Sequence, residues 1–248
     1  MKMKPCNKKL NFSTEDVCID GSKPSEHLEF EITVKCGSAK PIPNYIWLIS
    51  MTSSTKCPSA QLGLCPLGDD CYGLVFEQNS MMGANTIRCR EKDESAIDYL
   101  VNHPTGALFF ASELAEMSNR CRNPRNRLKF LRWNMTGDLK SLQYLIFVEQ
   151  VADYLFNELG VISVIYTHRS DLKNAFEKIR HNYESLRILG SGFNWDANFT
   201  CFPSSDDGKK CSSNCSQCFE EYGIGFCYDT SIKNCEIVEE FRENPNKA

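Results

Sequence analysis

The sequence predicts an α/β fold, a partial or irregular (β/α) barrel with Cys-rich metal-binding loops. Three observations carry that expectation. From Leu128 to Leu189 the apolar pattern reads strand, helix, strand, helix, strand, the order that builds a parallel sheet with crossover helices. An earlier apolar run, Tyr45 to Ser50, adds a strand directly before a loop rich in Cys, Gly and Pro. The chain of 248 residues also holds 14 cysteines, most of the close spacings falling in two clusters.

Each element has its own signal. Residues 1–40 are polar and Lys-rich and read as an N-terminal extension, with one short strand at Leu28 to Val34 where Phe30, Ile32 and Val34 alternate with polar neighbours. Pro41 and Pro43 punctuate before Tyr45 to Ser50, which reads as a buried strand. Ser95 to Val101 and Gly106 to Asn119 carry apolar residues at helical spacing, and Asn123-Pro124 breaks the pattern. Arg127 to Trp133 is a short strand. Ser141 to Leu159 is the clearest helix, with one broad apolar face, and Gly160 stops it where the chain can turn left-handed without a Cβ penalty. Val161 to Tyr166 is the β-branched run of a strand covered on both faces. Asp171 to His181 is a helix and Leu186 to Leu189 a strand, with Gly223 to Tyr228 a last one. The α/β core therefore spans 41–200, a Cys-rich segment 201–238 and a charged tail 239–248.

Composition narrows the function class. At 42% hydrophobic and 24% charged the chain is in the globular range. A net charge of −4 and a pI near 5.7 exclude the overall basicity of a nucleic-acid coat. The start shows no charged segment followed by an apolar run, and no window reaches the roughly 18 consecutive apolar residues of a membrane span. The expectation is a cytoplasmic protein with no membrane partner. Thiols there stay reduced, and clustered cysteines bind metal more often than they pair.

The first cluster is Cys57, Cys65 and Cys71, with seven and five residues between them, on the loop that leaves the first core strand. Three thiolates on one Gly/Pro-rich loop can hold three irons of a 4Fe-4S cubane and leave one iron open. A zinc site completed by a remote ligand, or buried thiols without metal, are the alternatives. The second cluster is Cys201, Cys211, Cys215 and Cys218. Four thiolates would close an iron–sulfur cluster or a tetrahedral zinc site with no open position.

Ligands of parallel sheets gather outside the carboxyl ends of the strands. Those ends carry Asn134, Gly137 and Asp138 after one strand, and His168 and Arg169 after the next; these five are the candidate cofactor-binding residues. Asp138 also suits a cap for the helix that begins at Ser141, and His168-Arg169 also suits a surface turn. The basic run Asn119 to Arg127 offers phosphate contacts or a solvated helix end. No phosphate loop, zinc-protease or Gly-x-Ser-x-Gly motif is present.

Taken together, Lys56-Cys57-Pro58, Cys65, Cys71-Tyr72, Leu131-Arg-Trp-Asn-Met-Thr-Gly-Asp138, Tyr166-Thr-His-Arg-Ser170 and the Cys-rich C-terminal segment resemble the phage gene product 88 family. Thr136 stands where that family usually has Ser, Gly73 where Ala is usual, and His168 is inserted before Arg169. The layout is similar to a diverged radical S-adenosylmethionine barrel. The resemblance implies an open iron–sulfur cluster on Cys57, Cys65 and Cys71, and S-adenosylmethionine contacts at Gly137 and Asp138. It also implies an electron donor as partner to any catalysis, acting on a substrate the sequence does not name. The alternative is a non-catalytic zinc-binding module that recognises protein or nucleic acid.

Overall fold

The computed structural model describes residues 7–37, 44–65, 71–78, 83–182 and 184–190. Six strands form one sheet in chain order: β1 (Asn7–Ser13), β2 (Glu29–Cys36), β3 (Ile46–Leu48), β4 (Phe130–Trp133), β5 (Ile162–Thr167) and β6 (Leu186–Gly190). The β1–β2 and β2–β3 pairs are antiparallel, and β3 to β6 are parallel. Short helices α1 (Thr14–Val17), α2 (Pro58–Gln61) and α3 (Tyr72–Glu77) accompany four longer ones. These are α4 (Gly83–Asn102), α5 (Gly106–Asn119), α6 (Leu142–Leu159) and α7 (Ser170–Phe176).

The parallel part confirms the strand–helix alternation, but the barrel expectation is corrected: among the described residues the sheet is open. Closure requires the two edge strands to pair with one another, with tilt and stagger to match. Here an antiparallel pair, β1 and β2, occupies one edge, and at the other β6 pairs with β5 and with no further strand among the described residues. Consecutive parallel strands still stand side by side with no reversal of order, the winding that a barrel would also use. The strand expected at Gly223 to Tyr228 lies outside the described residues.

Part of the N-terminal 40 residues belongs to this sheet. Leu10 and Phe12 of β1 are buried opposite Ile32 and Phe30 of β2, and the Phe12 and Phe30 rings stack with centroids 5.2 Å apart. Only two apolar side chains in Asn7–Ser13 mark the period of a strand, too few to stand out among its lysines and asparagines.

One face of the sheet packs on the helices. Ile32, Val34, Trp47, Leu131, Trp133, Ile165 and Ile188 join the helical core. At its centre Trp133, Phe110 of α5 and Phe147 of α6 make mutual ring contacts at 6.0–6.2 Å. α6 begins and ends within one residue of its expected limits. Gly160 closes it at φ +67°, donating its N–H to the Leu155 and Phe156 carbonyls. By contrast α4 starts twelve residues before the expected Ser95, because its first half buries Arg90 and Asp93, residues that a periodicity reading assigns to solvent. α7 ends at Phe176, five residues short of the expected His181. No helix among the described residues is long and apolar enough to cross a membrane.

Candidate functional site

The thiol loop leaves the carboxyl end of β3. The ladder continues past the strand, with Ile49 N–H donating to Arg132 O at 3.0 Å and Met135 N–H to Ile49 O at 3.0 Å. A one-turn 3-10 helix, Ser54–Lys56, follows, and Cys57 is the residue that opens α2. Pro58 takes the first helical position, where a missing N–H costs nothing. Gly63 then reverses the chain at φ +68°. Leu64 and Cys65 consequently donate their N–H groups back to Ser59 O at 2.8 and 3.2 Å. Cys71 stands before the first residue of α3. All three thiols are half-buried, and no disulfide joins them.

Two buried carboxylates clamp this loop. Glu77, the last residue of α3 and 3% exposed, accepts from Ser54 N at 2.7 Å and Thr55 N at 3.0 Å and pairs with the buried Arg90 of α4. It ties the Cys71 arm to the turn before Cys57. Asp138, 1% exposed, accepts from the Ser59 hydroxyl of α2. Its other donors are Thr167 Oγ1 at 2.5 Å, His168 N at 2.7 Å, Leu139 N at 2.7 Å and Asn134 Nδ2 at 3.2 Å. Five donors from the thiol loop and the ends of β4 and β5 converge on one carboxyl group. Such saturation makes Asp138 an organiser of the site, since ionised carboxylate oxygens offer about four lone-pair positions.

The end of β4 is tightly shaped. Asn134 takes the left-handed conformation at φ +54°, rare outside glycine. Its Nδ2 donates to Asp138 and, at 3.1 Å, to Tyr166 O; two acceptor partners settle which amide atom is nitrogen. Asn134 Oδ1 is then a buried acceptor with no donor among the described residues. Gly137 has φ +74°, and a Cβ there would lie 2.4 Å from Thr52 Cγ2 and 2.7 Å from Thr52 O. Only glycine lets the two strand ends approach this closely.

His168 lies between carboxylate and thiol. Its Nδ1 is 3.7 Å from Asp138 Oδ2. Burial alone would push its pKa down, but hydrogen bonds to Asp138 and Cys65, together with their charge, outweigh burial and raise it to about 9. The ring is therefore an imidazolium at neutral pH. Burial pushes the Cys57 thiol up to about 11, with the nearby Asp138 and Cys65 adding to the effect against backbone N–H groups of Ala60 and Ser59. Cys57, Cys65, His168 and Asp138 thus form one electrostatic cluster, in which thiol, imidazole and carboxylate follow in order. Arg169, 8% exposed, spends its guanidinium on structure: Nη1 donates to Leu139 O at 3.0 Å, and Nε and Nη2 grip Asp171 at 2.9 and 2.7 Å.

The sequence-expected residues Cys57, Cys65, Asn134, Gly137, Asp138, His168 and Arg169 all lie at the carboxyl ends of adjacent parallel strands. Among the described residues, no three His, Cys, Asp or Glu side chains are placed to hold one metal ion. Cys201, Cys211, Cys215 and Cys218 lie outside the described residues. The basic run Asn119 to Arg127 precedes β4 and so belongs to the opposite end of the sheet, where Arg120 pairs with Glu116 on the surface. Ser59, Glu77, Arg90 and Thr167 are site residues that the sequence reading missed. Thr167 adjoins His168, a signal that was present, whereas nothing in the local pattern marks Glu77 and Arg90 as partners.

No curated protein and no solved structure matches the chain. The family model described as gene product 88 matches residues 26–184. That span runs from just before β2 to just before β6, and it contains the thiol loop, both buried clamps and the ends of β4 and β5. With more than half of its length matched, including every part of this site, the chain belongs to the gene product 88 family.

Proposed function

We propose that this protein binds an iron–sulfur cluster through Cys57, Cys65 and Cys71 at the carboxyl edge of the parallel sheet. The observation that carries the reading is the loop itself: three half-buried thiols without disulfides, anchored on both sides by buried carboxylates. Thiolates are the donors such a cluster requires, so the donor chemistry fits. When bound with one iron open, the cluster would supply an electron to a ligand on that iron. Cys201, Cys211, Cys215 and Cys218 would hold a second, closed cluster or zinc.

The chain's own residues support S-adenosylmethionine as the ligand class. Asn134 Oδ1 offers a buried acceptor to an ammonium group, and Gly137 removes the side chain that would otherwise separate β4 from the loop. Asp138 and His168 hold the loop in register with β5. An electron donor would be the required partner in that chemistry.

The test is iron, zinc and acid-labile sulfide analysis with an optical spectrum, on protein purified without oxygen. The expected result is iron and sulfide with broad absorption near about 400 nm, the range of thiolate-bound clusters, and loss of both in Cys65→Ala. Addition of S-adenosylmethionine and reductant should then release 5′-deoxyadenosine. Stoichiometric zinc in a colourless protein would overturn the redox reading in favour of a non-catalytic zinc-binding module that recognises protein or nucleic acid.

A further inference from the structure

We propose that Lys8 and Cys121 are a site of oxidative cross-linking, where a covalent Nζ–Sγ bond ties the edge strand β1 to the end of α5. The two residues lie 113 positions apart, and the fold brings Nζ to 2.6 Å from Sγ. Side chains alternate along a strand, so Lys8 shares the core-facing side of β1 with the buried Leu10 and Phe12. It is half-buried at the rim of the core. Among the described residues its nitrogen meets Cys121 Sγ, Met117 O at 3.1 Å and the ring of the buried Trp47, 4.1 Å from its centre. None of these is a carboxylate. Glu116, the acid nearest in sequence to Cys121, is taken by Arg120 on the surface.

The sulfur is held from its other sides. Cys121 follows the last turn of α5, with its backbone N–H on Ser118 O at 3.0 Å. Its Sγ lies 3.5 Å from Met117 O and 3.8 Å from Asn126 O, the carbonyl that also accepts from Trp47 Nε1 at 3.2 Å. A nitrogen donating to an oxygen normally stands about 2.7–3.2 Å away, and here it stands closer to the larger sulfur. A cation at the end of a helix explains the bond to Met117 O. Such a cap needs no thiol and no contact this short. Reacting atoms already within about 3–3.5 Å have little freedom left to lose when they bond. Cys121 is partly exposed, which lets an oxidant as small as hydrogen peroxide reach the sulfur.

Two steps make the bond. Hydrogen peroxide oxidises the thiol by two electrons: sulfur gains one oxygen as a sulfenic acid, and the other oxygen leaves as water. Lys8 Nζ, after giving one proton to solvent, attacks that sulfur with its lone pair. The N–S bond forms as the S–O bond breaks, and the departing hydroxide takes a proton from nitrogen and leaves as water. One thiol, one amine and one peroxide thus become one sulfenamide and two waters. Sulfenic acids condense in this way with a nitrogen placed beside them. A dithiol reverses it, returning amine and thiol while it is itself oxidised to a disulfide. Lys8 stands near the start of β1, which runs in the same direction as β3 and β4, and Cys121 precedes β4. The pair therefore lies at the end of the sheet opposite the thiol loop and needs no metal there.

Peptide mapping of the full chain tests this. Protein purified without oxygen is treated with graded hydrogen peroxide, its remaining thiols are alkylated, and its digest is read by mass spectrometry. The expected product is one pair of peptides joined through Lys8 and Cys121, with their summed mass less two hydrogens, that separates on adding dithiothreitol. Lys8→Arg keeps the positive charge but replaces the amine with a poorly nucleophilic guanidinium. It should form the joined pair at least tenfold less and leave Cys121 as a sulfenic acid that dimedone traps. Absence of the joined pair from the unaltered chain, at peroxide levels that oxidise the exposed Cys89, overturns the proposal without requiring any variant to fold. Joining of Cys121 to a different residue in place of Lys8 overturns it as well. A joined pair that retains an oxygen atom overturns the direct N–S bond. The Cys57→Ser/Cys65→Ser double variant should cross-link undiminished, so failure of the thiol site and failure of the Lys8–Cys121 pair give different results.

Discussion

Replacing Asp138 by Asn tests the organisation of the site most directly, because the change keeps shape and removes charge. One carboxyl oxygen receives Leu139 N, Asn134 Nδ2 and Thr167 Oγ1, and the other receives Ser59 Oγ and His168 N. An asparagine can keep its oxygen toward the first group. Its NH2 then faces the Ser59 hydroxyl, which can rotate to accept, and the His168 N–H, which cannot. One buried N–H left without an acceptor costs about 1–3 kcal/mol, and the bonds that remain lose their charged partner at about 1 kcal/mol each. Relief of the buried charge offsets about 1 kcal/mol. The net expectation is a loss of about 3–5 kcal/mol, or roughly 6–20 °C in melting temperature for a chain of this size. Differential scanning calorimetry with reductant present measures it. A second readout is specific to the electrostatics: by proton NMR, His168 should titrate well below its value of about 9 once the carboxylate is gone. A melting temperature within about 2 °C of the parent, or an unmoved His168 titration, would refute the hub.

Two further predictions follow from the same geometry. Because folding raises His168 from the ordinary 6.5 to about 9, the folded state holds the extra proton between those values. Its stabilisation is complete below pH 6.5 and is lost as pH rises through about 9. Urea unfolding of the metal-free protein should therefore show stability falling between pH 6.5 and 9, by up to about 1.4 kcal/mol per pH unit, and His168→Gln should flatten that window. A flat parent profile would contradict the assignment. Gly137→Ala and Gly160→Ala make a matched pair. Both sites have positive φ, but a Cβ at 137 meets Thr52 while one at 160 meets open space. Gly160→Ala should cost about 1–2 kcal/mol for the left-handed backbone alone, and Gly137→Ala clearly more in the same denaturation assay. Equal losses would show that the strand ends are not packed as described.

The division between sequence and structure follows interaction range. β5 and α6 were legible because their signals are local: a β-branched run, and an apolar stripe ending in Gly160. The thiol loop was legible because Cys57, Cys65 and Cys71 lie within fifteen residues, directly after a strand. Placing Asn134, Asp138 and His168 at one end of the sheet needed only the rule that ligands gather at strand carboxyl ends. The strand β1 was not legible, because two buried side chains in seven residues become a pattern only when paired with β2. The polar first half of α4 was equally silent, since buried Arg90 takes its partners, Glu77 and Ser54, from outside its own helix.

The sequence by itself determined the parallel α/β core, the order of its elements and the chemical character of its loops, because these depend on neighbours a few residues apart. Only the tertiary structure decided that the described sheet is open and that Asp138 is consumed by five donors. Each of those facts depends on which strand lies beside which. Strand neighbours are chosen by the packing of the whole core, and no local pattern encodes that choice.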